Sequence, residues 1–182
     1  MTQEYQKLTH RFLPVFDETS RVLILGTFPS VKSREQNFYY GHPQNRFWKV
    51  LAGVAGEEQV PETVEEKKIF LLRNKIAVWD VIEQCEIIGS SDSSIRNVVP
   101  AKLEQVLENA PIRQIYANGQ KAFELYQKYA LPRLRQEGTA ESVLKVAEAI
   151  RKLPSTSPAN AAWQIERLLE AWKLIRQDLA EA

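Results

Sequence analysis

The segment Arg21–Gly26 constrains the fold most. Val22, Leu23, Ile24 and Leu25 form an unbroken apolar run that Gly26 closes. So short a run, with no polar alternation, is the pattern of a strand buried on both faces, as in a parallel sheet. Pro29 then blocks regular pairing, so Thr27–Ser30 reads as a turn. Ile76–Val81 and Ile112–Ala117 read as two further strands, and Asn118-Gly119 turns the second of them into a helix bearing Phe123, Tyr126 and Ala130.

Helical periodicity fills the intervals. Phe47, Val50, Leu51 and Val54 share one face, with Asn45 placed as an N-cap. Pro61 opens a second helix, its glutamates Glu62, Glu65 and Glu66 early and its cations Lys67, Lys68, Arg73 and Lys75 late, which suits the helix dipole. Pro100 opens a third, with Leu103, Val106, Leu107 and Ala110 on one face. Thr139–Lys152 reads as helical through Val143, Val146, Ala147 and Ile150. Ser157 and Pro158 suit the cap and first position of a last helix, whose stripe runs through Ala161, Ile165, Leu168, Leu169, Trp172, Ile175 and Leu179.

Strands alternating with helices predict an α/β fold: a three-layer α/β/α sandwich around a central, mostly parallel sheet of about four strands. Residues 1–182 read as a single domain, without repeats or low-complexity segments. Ligands of such sheets bind at the carboxyl ends of the strands. That directs attention to three turns: Gly26–Ser30, Asn118-Gly119 and Leu153–Asn160.

Composition removes several classes. The single cysteine, Cys85, excludes a disulfide framework, an iron–sulfur cluster and a cysteine-rich zinc site. His10 and His42 lack ligand-like spacing, and no metal or other cofactor is expected. The longest aliphatic run, Val22–Leu25, is far too short to span a membrane, and no signal-peptide pattern opens the chain. The reading is a cytoplasmic, prokaryotic-type protein, with nucleoid-associated activity if its partner is DNA. Net charge is +1, so nucleic-acid affinity must come from local groups. Lys32, Arg34, Arg46 and Lys49 flank one candidate site, and Arg151 and Lys152 abut another.

There is no hydrolase triad, and Gly26–Ser30 lacks the glycine and lysine spacing of a phosphate loop. Three segments carry the remaining signal. They are Gly26-Thr27-Phe28-Pro29-Ser30, the aromatic stretch Tyr39–Lys49, and Leu153-Pro154-Ser155-Thr156-Ser157-Pro158-Ala159-Asn160. Together and in this order they resemble the uracil-DNA glycosylase superfamily, nearest its hypoxanthine-DNA glycosylase branch. The segment from His42 to Lys49 is also similar to the mismatch-specific uracil-DNA glycosylases.

The resemblance implies a cofactor-free, monomeric DNA glycosylase of base excision repair. Such an enzyme flips a deaminated base out of double-stranded DNA and hydrolyses its N-glycosidic bond. Gly26, Thr27, Phe28, Tyr40, His42 and Asn118 are implied to line the base pocket, with Tyr40 stacking on the base. Ser30, Ser155, Thr156 and Ser157 are implied to meet the DNA, with Thr156 near the tip of a wedge. Many members place Asn, Asp or Glu where this chain has Phe28, which can neither orient water nor accept a proton. The hypoxanthine branch is thought to use a downstream asparagine, here Asn45.

Each residue has a plainer reading. Asn45 could be only a helix cap, Tyr40 a core residue, His42 a turn residue, Ser157 a cap and Asn118 a left-handed turn. Ser91, Asp92, Ser93 and Ser94 could line a DNA groove or merely form a polar loop. The resemblance also implies a strand leading into Leu153, where the periodicity reads helix. Rival functions are excision of uracil or mismatched thymine, a catalytically silent nucleic-acid-binding module on the same fold, and a hydrolase of free nucleosides.

Overall fold

A computed structural model describes residues 4–180. Seven strands are formed there: β1 Gln6–Thr9, β2 Val22–Gly26, β3 Ile76–Asp80, β4 Ile82–Ile87, β5 Arg96–Pro100, β6 Gln114–Asn118 and β7 Arg151–Leu153. The helices are α1 Val31–Gln36, α2 Phe47–Ala55, α3 Val64–Arg73, α4 Glu104–Leu107, α5 Gln120–Leu125, α6 Leu131–Gln136, α7 Glu141–Glu148, α8 Ile165–Trp172 and α9 Ile175–Leu179. A π-helical segment, Tyr126–Ala130, joins α5 to α6.

The central sheet has four parallel strands in the order β3-β2-β6-β7. All five residues of β2 and of β3 are buried, which is why β2, and β3 up to Trp79, read as apolar runs. The chain leaves β2 toward β3 on one side and later returns to β6 on the other. Connections therefore diverge between β2 and β6, and a crevice opens at their carboxyl ends. Helix α2 packs against α8 and α9, α3 against β3, and α5 and α7 against β6.

A second sheet, antiparallel in the order β1-β4-β5, has no counterpart among the expected elements. Val81 and Ile82 donate their amides to the carbonyls of Gly26 and Thr27, at 2.9 and 3.2 Å. The chain thus runs past the end of β2 and straight into β4. Strand β4 mixes buried Ile82, Cys85 and Ile87 with half-buried Glu83, Gln84 and Glu86, and β5 is largely exposed. Strands of this mixed composition give no apolar run to find.

Helix boundaries need four corrections. The helix expected from Pro61 starts at Val64, because Thr63 forms a capping box: its Oγ1 accepts from Glu66 N–H at 3.1 Å while Glu66 Oε2 accepts from Thr63 N–H at 3.3 Å. Pro100 closes β5 rather than opening a helix, and only the short α4 follows. The Thr139–Lys152 helix stops at Glu148, and Arg151, Lys152 and Leu153 pair with Tyr116, Ala117 and Asn118. Three residues are too few to show a period, so sheet pairing overrides the helical reading. Finally, Ser157 and Pro158 do not start the last helix. It begins at Ile165 and comes in two pieces, α8 and α9, without Ala161.

Candidate active site

A cavity of about 550 Å³ opens at the crevice between β2 and β6. Among its lining residues are Gly26, Thr27, Phe28, Ser30, Tyr40, His42, Asn45, Asn118, Ser155, Thr156 and Ser157. The fold therefore brings all the expected site residues together. Its size falls in the range of small-molecule clefts.

Three of these residues form one hydrogen-bonded relay. Asn118 Oδ1 accepts from the Thr156 amide at 3.1 Å, which fixes the side-chain orientation and leaves Asn118 Nδ2 to donate to Thr156 Oγ1 at 3.0 Å. The Thr156 hydroxyl in turn donates to Asn45 Oδ1 at 2.9 Å. Asn45 Oδ1 also accepts from Phe47 N–H at 3.0 Å. The oxygen of Asn45 is thus committed twice, and its free group is the Nδ2 donor. Asn45 does cap α2, one residue before the position Arg46 occupies. Thr156 is completely buried, so it is no wedge tip but the link that locks two asparagines at the cavity.

Arg46 was expected among the cations flanking the site, and it does something else. Its guanidinium donates to the carbonyls of Thr156, Ser157, Asn160 and Trp163, and its amide donates to Thr156 O at 3.1 Å. These bonds hold residues 156–163 as turns, which is the physical reason the last helix starts late. Ser155 and Ser157 use their hydroxyls locally, accepting from the amides of Ser157 and Ala159 at 3.1 and 3.2 Å. Ser30 Oγ caps α1 by accepting from Ser33 N–H at 3.2 Å. Lys32 pairs with Glu35, and Arg34 donates to the carbonyls of Pro29 and Gly89.

The aromatic walls are Phe12, Phe28, Tyr39 and Tyr40. The Tyr40 ring stacks on Phe47, centroids 3.8 Å apart and planes at 18°, so one of its faces is already covered. Burial, with the Asp80 carboxylate adding to it, holds the Tyr40 phenol far above its usual pKa and keeps it protonated. His42 Nδ1 accepts from Gln44 N–H at 3.1 Å, which puts the proton of a neutral ring on Nε2.

Asp80 and His10 join the site without having been expected there. Asp80 ends β3 beside Gly26, their registers matched, and lines the cavity although only 4% exposed. Its Oδ2 meets His10 Nε2 at 2.8 Å, and the His10 ring sits among Phe12, Phe28 and Tyr39. A signal for Asp80 is present in the sequence: an acid closing the otherwise apolar strand Ile76-Ala77-Val78-Trp79. Gly26 is required by close approach, because a Cβ there would lie 2.5 Å from Asp80 Oδ1 and 2.9 Å from Tyr40 Oη. Both neighbours are pinned, one by His10 and one by Phe47. Gly26→Ala is expected to cost about 1–3 kcal/mol by overpacking, read as a lower melting temperature. Thermal melts check this, and a variant with the wild-type melting temperature would show that the cavity floor yields.

Residues 13–178 match the family described as the uracil DNA glycosylase superfamily. A protein of Methanosarcina acetivorans named hypoxanthine DNA glycosylase is 34% identical over 165 residues, covering 90% of this chain and 95% of its own. A protein of the same name from Methanosarcina barkeri is 34% identical over 114 residues, covering 62% of this chain and 72% of its own. The solution NMR structure of a candidate uracil DNA glycosylase from Methanosarcina acetivorans superposes with a TM-score of 0.71 at 34% identity, covering 92% of this chain and 96% of its own. The chain belongs to the uracil DNA glycosylase superfamily. Among the described residues no helix is long and apolar enough to cross a membrane.

Proposed function

We propose that this protein is a monofunctional DNA glycosylase of base excision repair that releases hypoxanthine from deoxyinosine in double-stranded DNA. The relay Asn118–Thr156–Asn45 carries the reading, because it fixes an amide donor at the cavity with its oxygen side closed off. When the glycosidic bond breaks, its electron pair moves onto the base. A preorganised donor facing that charge lowers the barrier. Asn45 Nδ2 is that donor, and His42 Nε2–H is a second.

Asp80 supplies the discrimination. Deamination turns an acceptor ring nitrogen into an N–H donor, in hypoxanthine as in uracil. A carboxylate oxygen beside Gly26 accepts from that N–H and repels the lone pair that adenine or cytosine presents there. The two relatives named for hypoxanthine support the purine as the preferred substrate. The enzyme acts as a monomer and a single domain over residues 1–182, in the cytoplasm at the nucleoid, with no cofactor.

The test is cleavage of labelled duplexes containing deoxyinosine, deoxyuridine or a thymine mismatch, followed by alkali, beside free inosine. Fastest cleavage at deoxyinosine is expected, with slower release of uracil. Fastest cleavage at uracil would move the substrate. Tight binding with no cleavage of any duplex would replace the enzyme by a silent binding module.

A further inference from the structure

Hydrolysis needs an acceptor for the water's proton, and the groups around the base do not provide one. Asn45 Oδ1 already accepts two hydrogen bonds. Asn118 Oδ1 is taken by the Thr156 amide. Glu35 is paired with Lys32 at the surface. Asp80 lies at the pocket floor against His10, where a bound base would shield it from the sugar.

One other acid lines the cavity. Asp92, in the 3₁₀ turn Asp92–Ser94, is tied at Oδ1 by the Thr27 hydroxyl at 3.3 Å. Its Oδ2 has no hydrogen bond, and the residue no ion pair, among the described residues. Asp92 also lines a neighbouring hollow of about 480 Å³ that shares Ser155, Ser157 and Ala159 with the base cavity. It therefore stands at the boundary between the space for a base and the space outside it. In a flipped nucleotide C1′ is the atom that joins base to backbone.

We propose that Asp92 is a catalytic residue, the carboxylate that holds the attacking water against C1′ and takes its proton. This rests on the glycosylase reading. The C1′–N9 bond breaks with its electron pair leaving on the base, and the positive charge forming at C1′ lies next to the Asp92 carboxylate. The water oxygen bonds to C1′, and its proton passes to Asp92 and then to solvent. The base regains a proton from solvent, so the products are neutral hypoxanthine and an abasic sugar bearing a 1′-hydroxyl. Asp92 is exposed as a residue, but burial of its carboxyl raises its pKa from the ordinary value, against the Thr27 hydrogen bond. An acid from the loop after β4 thus takes over what Phe28 cannot do.

Single-turnover cleavage of a deoxyinosine duplex is the test, with binding read on a duplex whose 2′-fluoro substitution blocks cleavage. Asp92→Asn is expected to slow cleavage by about 10²–10⁴-fold, the range of general acid–base groups, with binding unchanged or tighter. Added formate is expected to restore part of the rate to Asp92→Gly, which a loop-shaping role would not allow. A rate within about tenfold of wild type, or loss of binding parallel to loss of rate, would overturn the proposal. Wild-type inactivity on deoxyinosine would instead strike the substrate reading, and the two failures are read from different samples.

Discussion

Asn45→Asp is expected to slow hypoxanthine release by about 10²–10³-fold, the cost of one donor facing developing charge, while the melting temperature stays close to wild type. The aspartate keeps an oxygen for Phe47 N–H and for the Thr156 hydroxyl, so the cap and the relay survive. What it removes is the Nδ2 donor, and it sets a negative charge where the departing base gathers its own. Asn45→Ala is expected to match that loss of rate and to destabilise the fold as well. Without the oxygen, Phe47 N–H loses its cap, worth about 0.5–2 kcal/mol. The fully buried Thr156 hydroxyl loses its acceptor, at about 1–3 kcal/mol. The pair of variants separates catalysis from capping by comparing single-turnover rates with thermal melts. If Asn45→Asp cleaves deoxyinosine within a few-fold of wild type, the residue is a cap and nothing more.

Much of this site is legible in the amino-acid sequence because its parts lie at the ends of buried parallel strands. Val22–Leu25 and Ile76–Trp79 are apolar throughout, and such runs announce themselves. Gly26, which follows such a run, can be placed at the crevice from the pattern alone, and Asn118 closes the less regular strand Ile112–Ala117. Asn45 is legible only as two competing roles: its oxygen caps α2, and its Nδ2 makes no hydrogen bond among the described residues.

What stays hidden in the sequence depends on contacts between distant residues. Thr156 lies 38 residues from Asn118 and 111 from Asn45, and no local pattern links them. Arg46 looks like a surface cation because charge in a sequence says nothing about how many carbonyls will surround it. His10 stands 70 residues before Asp80, on a stretch leading from a largely exposed strand that carries no apolar signature. The antiparallel sheet escapes the sequence pattern for the same reason, although it brings the Asp92 turn to the cavity.

Trp172→Ala is expected to give the largest loss of stability of any single change, about 3–5 kcal/mol as for other large-to-small replacements of buried aromatics. The residue is completely buried on α8, and its indole N–H donates to Pro154 O at 3.0 Å. Its ring meets Phe47 edge-on, centroids 6.1 Å apart at 87°, and Phe47 stacks on Tyr40. A column of three aromatic rings thus runs from the last helices to the cavity wall, and the same indole fixes the carbonyl that begins the Ser155–Ser157 turn. For a chain of this length the loss corresponds to a fall of about 6–20 °C in melting temperature. Trp172→Phe keeps most of the packing and abandons only the hydrogen bond, so about 1–3 kcal/mol is expected, the cost of a buried carbonyl left unpaired. Because the column ends on Tyr40, Trp172→Ala should also slow deoxyinosine cleavage at temperatures where it remains folded, whereas Trp172→Phe should not. Thermal melts and single-turnover rates at low temperature decide it. A melting temperature for Trp172→Ala within about 2 °C of wild type would mean that α8 is not what holds the second wall of the site in place.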